Sequence, residues 1–154
     1  MNKKKMCSFF VSEYHLLTML LPYINEEIAK NKNLIIFTEE DLNDSLKKYL
    51  KRNNKYSSSK IMKLGWNKTK ENKIEKVEEI AIVIGNKKYI DEINIKLDNI
   101  DKLKEVVNCY NVERISDLNQ IVLEHDSILK TAGEMKVSKS SHNEQKRKTI
   151  QTQI

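Results

Sequence analysis

Apolar positions along the chain fall into two alternating patterns. Short, nearly unbroken apolar runs at Met6–Val11, Leu34–Phe37, Ile61–Gly65, Ile80–Ile84 and Glu105–Cys109 read as buried strands. Of these, Ile80–Ile84 is the clearest, with no polar side chain at any position. Between them, apolar residues recur at helical spacing. Leu17, Leu20, Leu21, Ile24 and Ile28 form one stripe, Leu42, Leu46 and Leu50 a second, and Ile90, Ile93 and Leu97 a third. Ser12 stands where the first helix needs an N-cap, with Glu13 in the first turn where the helix dipole favours an acid. Pro22, inside that helix, predicts a kink or two abutting helices. A last helix, capped by Ser116, is predicted to carry Leu118, Ile121, Val122, His125, Ile128 and Leu129 on one face and to stop at Gly133. The polar run from Asn67 to Val77 predicts no core contribution.

Strands alternating with amphipathic helices predict a three-layer α/β fold, a mostly parallel sheet of about five strands flanked by helices, RecA/KaiC-like or Rossmann-like. A chain of 154 residues is one domain on ordinary size grounds, and 39% hydrophobic with 32% charged residues is the balance of a globular chain. The domain is expected to span residues 1–133. Residues 134–154, rich in Ser, Lys, Gln and Thr without apolar period, read as a disordered basic tail. Two cysteines, Cys7 and Cys109, make neither a disulfide framework nor a CxxC site, and the expected compartment is the cytoplasm. The apolar run after Lys3–Lys5 is broken by Ser12, Glu13 and His15, so neither a membrane span nor an export signal is expected.

The net charge of +6 is uneven. The tail alone holds Lys136, Lys139, Lys146, Arg147 and Lys148 against Glu134 and Glu144, which leaves the body near balance. Nucleic-acid binding by the body is therefore not expected; the tail, with the Lys47–Arg52 helix end, is the place where such binding would reside.

In this architecture chemistry gathers at the carboxyl ends of strands. After the first strand the chain reads Ser12-Glu13-Tyr14-His15-Leu16-Leu17-Thr18, with no glycine and no lysine. The backbone nest that cradles phosphates is missing, and Glu13 repels an anion, so no nucleotide hydrolysis and no cofactor is expected. Thr38, Glu39, Glu40 and Asp41 follow the second strand; acids there cap the next helix or, less simply, hold Mg²⁺. His15 stands just past the first strand, as a hydrogen-bond donor to a ligand or a half-buried structural ring. His125 lies on an apolar stripe, and His142 lies in the tail; three histidines so dispersed match no zinc spacing. Cys109 ends a strand, where a nucleophile needs a lowered pKa and a base, or else is a buried thiol. Trp66 and Tyr110 follow strand ends too. The expected ligand or partner site is thus Ser12, Glu13, His15, Thr38, Glu39, Trp66 and Tyr110, with no catalytic and no metal residues.

Several of these segments resemble one family. Phe9-Phe10-Val11-Ser12-Glu13 followed by Leu20-Leu21-Pro22-Tyr23-Ile24, the strand and acidic helix start at Leu34–Asp41, Val106–Arg114 with Cys109-Tyr110, and His125-Asp126 occur in the order found in the MEDS domain, the methanogen/methylotroph sensory domain. The resemblance covers about Met6 to Leu129. Cys7 stands where that family has a histidine near the first strand, and Asp126 where it commonly has proline. The resemblance implies a RecA/KaiC-like core without its phosphate loop, used as a sensory or interaction module in signalling. It also implies an output passed through a partner, since no second module is read in these residues.

The leading expectation is a non-catalytic ligand-sensing or protein-interaction domain in a regulatory circuit, bound to a small molecule or a regulatory protein and compatible with homo-oligomers. The alternatives are a nucleic-acid-associated transcriptional regulator using the tail, and a small enzyme with His15, Glu39 and Cys109 in one cleft.

Overall fold

The computed structural model describes residues 3–56, 58–68 and 74–138. Its elements are β1 (Lys4–Phe10), α1 (Glu13–Ala29), β2 (Leu34–Thr38), α2 (Asn43–Arg52), α3 (Ser58–Met62), β3 (Ile80–Gly85), α4 (Lys87–Leu97), β4 (Glu105–Asn111), α5 (Leu118–Leu123), β5 (Ser127–Lys130) and β6 (Gly133–Lys136). One six-stranded sheet runs in the order β2-β3-β4-β1-β5-β6. Its first five strands are parallel, and β6 is antiparallel to β5.

Side-chain alternation along each strand splits the core into two layers. Met6, Ile36, Ile80, Ile82, Ile84, Val107 and Cys109 face α1, α2 and α3. Cys7, Phe37, Ala81, Val83, Val106 and Tyr110 face α4 and α5. A sheet covered on both faces explains strands that read as continuous apolar runs. The chain is a three-layer α/β protein with helices flanking a largely parallel sheet. Among the described residues no helix is long and apolar enough to cross a membrane.

α1 begins as expected: Ser12 is extended and its hydroxyl accepts from the His15 N–H at 3.1 Å. The helix runs through Pro22 as one element rather than two.

Two local expectations fail. Ile61 does not open a strand; it lies in the last turn of the short helix α3, and its carbonyl accepts the Trp66 indole N–H at 2.7 Å. The segment after it reaches the edge of β2 through one bond, Ile36 N–H to the Leu64 carbonyl at 2.9 Å. Val77 is buried in the second core layer, although its polar surroundings predicted no core role.

The predicted last helix is the largest departure. α5 stops at Leu123, and its cap is Asp117, which accepts from the Gln120 N–H, not Ser116. The following residues return to the sheet because Asp126 locks onto β1. Its N–H donates to the Lys5 carbonyl at 2.7 Å, and its carboxylate accepts the Lys5 N–H at 2.9 Å. Ser127–Lys130 then pairs with β1, and Gly133, at φ +117, ends a hairpin turn instead of a helix. Glu134, Met135 and Lys136, expected to open the tail, belong to β6, and Val137 directly after it is buried. The rest of that tail, 139–154, lies outside the described residues, as does part of the polar run after Asn67.

A buried polar relay ties α4, β4 and α5 together. Asn94 Nδ2 donates to the Ile90 carbonyl and to Asn108 Oδ1, both at 2.8 Å. That fixes the Asn108 amide so that its Nδ2 donates to His125 Nε2 at 3.0 Å, and His125 Nδ1 donates to the Ile121 carbonyl at 2.6 Å. His125 is a satisfied core histidine.

Candidate functional site

The carboxyl ends of β1, β2, β3 and β4 open onto a cleft of about 500 Å³. Its lining comes from four crossovers: Ser12 and Glu13 after β1, Thr38, Glu39 and Glu40 after β2, Gly85 and Asn86 after β3, and Asn111 with Glu113 after β4. Phe10, Leu42 and Ile84 supply its apolar floor, and Val11, largely exposed, its rim.

Local chemistry sets each wall. Thr38 is buried and its hydroxyl donates to the Glu40 carbonyl at 2.6 Å, which turns the chain sharply out of β2. Glu39 crosses to the next strand. Its N–H donates to the Ile84 carbonyl at 2.9 Å, and its carboxylate accepts the Asn86 backbone N–H and side-chain N–H, each at 3.0 Å. Asn86 is the N-cap of α4 and accepts from the Tyr89 N–H at 2.8 Å. A carboxylate thus sits at the positive end of α4, where an anionic ligand would otherwise be favoured. The acids after β2 were expected to cap α2, but its N-cap is Leu42, which makes no side-chain cap bond; Asp41, one residue earlier, accepts the Asn43 N–H at 3.0 Å.

Gly85 makes this approach feasible. A Cβ on it would lie 2.9 Å from Glu39 Oε1, 3.0 Å from Glu39 Cβ and 2.9 Å from a ring carbon of Tyr89. On the other wall Glu13 accepts a hydrogen bond from Ser45 of α2, and Asn111 accepts from the Glu113 N–H at 3.1 Å.

Four of the seven expected residues, Ser12, Glu13, Thr38 and Glu39, therefore share one cleft. The other three do not join them. His15 is half-buried, accepts the Val11 N–H at 3.3 Å, and lines a separate groove with Phe9, Met19 and Ile128–Ala132. Trp66 is 1% exposed in the core, its N–H spent on Ile61. Tyr110 points inward because β4 continues to Asn111; it stacks on Phe9 at 5.7 Å and meets His125 edge-on at 6.0 Å. Burial pushes its hydroxyl pKa well above the usual value. Burial also raises the Cys109 thiol, which is fully enclosed, so it is no nucleophile, and it shares no cleft with His15 or Glu39.

Gly85, Asn86, Asn111 and Glu113 were not singled out from the sequence, although the Gly85-Asn86 pair directly after the clearest strand marks a strand-end turn. Among the described residues the cleft lining carries four carboxylates, from Glu13, Glu39, Glu40 and Glu113, and no Lys or Arg. Among the described residues no group of three or more His, Cys, Asp or Glu has the geometry to hold a metal ion. No family model matches the chain, and no curated protein or solved structure matches it either.

Proposed function

We propose that this chain is a non-catalytic sensory or interaction domain of a regulatory circuit, and that its ligand site is the strand-end cleft. The observation that carries the reading is the lining itself: among the described residues it holds four carboxylates, hydroxyls and side-chain amides, without a cation. Such a surface repels phosphates and favours a small organic cation or the basic side chain of a regulatory protein. At about 4 Å an unfavourable charge pair costs roughly 1 kcal/mol in water and about 4 kcal/mol at an effective surface dielectric. A triphosphate there meets several such pairs, and no glycine loop offsets them.

The finer fold reading, a RecA/KaiC-like core without a phosphate loop, belongs to the same proposal. It is supported by β1 lying inside the sheet between β4 and β5 while the chain crosses to the far edge at β2. The resemblance of the Phe9–Glu13, Leu34–Asp41 and Val106–Arg114 segments to the MEDS domain supports the sensory role. Two free, buried thiols, Cys7 and Cys109, fit a reducing compartment such as the cytoplasm.

A thermal-shift titration with n-butylamine, putrescine and arginine amide tests the proposal. At least one of them should raise the melting temperature of the parent, with the shift lost at high salt and in Glu39→Gln and Glu113→Gln. Stabilisation by none of the three, or an equal shift in both variants, overturns this ligand assignment.

A further inference from the structure

The two edges of the sheet are treated differently. β2 is approached by the Leu64–Trp66 segment, which takes one of its N–H groups, that of Ile36. β6 is the terminal strand at the other side, and Glu134, Met135 and Lys136 are all exposed, Met135 by 40%. The orientation of its backbone follows from the antiparallel pattern. Val137 N–H donates to the Asp126 carbonyl at 2.9 Å, so Val137 and, two residues back, Met135 turn their backbone groups toward β5. Glu134 and Lys136 turn theirs outward, away from the sheet.

The residues with outward backbone groups are one acid and one base, placed symmetrically about Met135. An antiparallel pairing of this edge with itself, its two-fold axis at Met135, sets Glu134 opposite Lys136 of the second copy and Lys136 opposite Glu134 of the second copy. Met135 then meets its own counterpart at a pair that needs no ladder hydrogen bond. Charge, backbone register and the exposed side chain of Met135 agree on this single alignment. A shift of two residues in either direction sets like charges opposite each other: Glu134 faces Glu134, or Lys136 faces Lys136.

From this complementarity we infer that β6 is a homodimerisation edge, through which two copies join their six-stranded sheets into one continuous sheet. The partner is a second copy of this chain, and the contact is isologous. It lies on the far side of β5 from the strand-end cleft and does not depend on what that cleft binds.

Sedimentation equilibrium of the full chain, at concentrations up to about 100 µM, reads the association directly. The parent should form dimers. Lys136→Glu alone and Glu134→Lys alone should be monomers, because each sets like charges opposite across the axis, and their equimolar mixture should recover a heterodimer. Glu134→Lys also loses the 2.7 Å pair with Lys4 on its own chain, so circular dichroism must first show that it folds. Should it not fold, Lys136→Pro serves instead. It deletes only an outward N–H, which an edge strand tolerates, and should be a folded monomer. A parent that stays monomeric, or dimers that survive in Lys136→Glu or Lys136→Pro, would overturn the inference and leave the edge to a different chain.

Discussion

Replacing Gly85 with alanine probes the geometry that builds the cleft. The added methyl would lie 2.9 Å from Glu39 Oε1, 3.0 Å from Glu39 Cβ and 2.9 Å from Tyr89. All three contacts are inside van der Waals distance, so something must shift. Overpacking a filled site costs about 1–3 kcal/mol. If Glu39 swings out instead, the two Asn86 donors turn to water, which at a partly exposed site costs about 0.5–1 kcal/mol rather than the full value of a charged hydrogen bond. Against this, alanine restricts the unfolded chain and restores about 0.4–1 kcal/mol, since Gly85 is not among the residues at positive φ. The net expectation is a loss of about 1–2 kcal/mol in urea unfolding, with the slope unchanged. A double-mutant cycle sharpens it. In a Glu39→Gly background two of the three contacts vanish, and the cost of Gly85→Ala should fall by about 1 kcal/mol. An unchanged or raised midpoint for Gly85→Ala would refute the packing argument. A coupling near zero would show that Gly85 does not make room for Glu39.

Other consequences follow from burial and charge. Trp66→Ala should cost about 3–5 kcal/mol of stability, while Trp66→Phe, which keeps most of the ring but leaves the Ile61 carbonyl without the indole donor, should cost less and leave ligand affinity at the cleft unchanged in calorimetry. Ending the chain at Gly133 removes β6 and buried Val137, so the denaturation midpoint should fall by the equivalent of at least about 1.5 kcal/mol, the burial of one valine. Burial opposes ionisation of Glu134, but the hydrogen bond from Lys4 and the charges of Lys4 and Lys136 outweigh it and hold the pKa below the ordinary 4.5. The folded-state pKa is the lower one, so this contribution is present above about pH 4.5 and is lost as pH falls through the folded value. Lys4→Met should therefore flatten the acid limb of a stability–pH curve, by a modest amount because the pair is partly exposed; an identical limb would speak against the pairing.

The sequence was most legible where local and tertiary preferences agree. Ser12 caps α1, Ile80–Ile84 lies in the fully buried β3, and Ile90, Ile93 and Leu97 face the sheet, because helix period, capping chemistry and burial all point the same way. The region from Leu118 to Gly133 was misread for an equally physical reason. Ile121, Val122, His125, Ile128 and Leu129 satisfy a helical period, yet Ile128 and Leu129 belong to a strand selected by pairing with β1 and by the Asp126–Lys5 clasp, neither of which is local in sequence. Ile61–Gly65 shows the complementary error, since a short apolar run fits a helix end as well as a strand. At the candidate site, the strand-end rule named Ser12, Glu13, Thr38 and Glu39, which the structure places along one cleft. It put Tyr110 at the surface only because β4 was ended at Cys109; two further residues of strand turn Tyr110 into the core and bring Asn111 to the cleft instead.

The central claim is that the strand-end cleft takes a cation and rejects nucleotide phosphates. Isothermal titration of the parent with Mg²⁺–ATP and, separately, with the most stabilising of the three amines compares the two directly. The charge of the lining predicts no heat of binding for Mg²⁺–ATP, and an amine affinity that weakens as salt is raised and drops at least tenfold in Glu39→Gln. Micromolar binding of Mg²⁺–ATP, weakened by the same substitution, would contradict it.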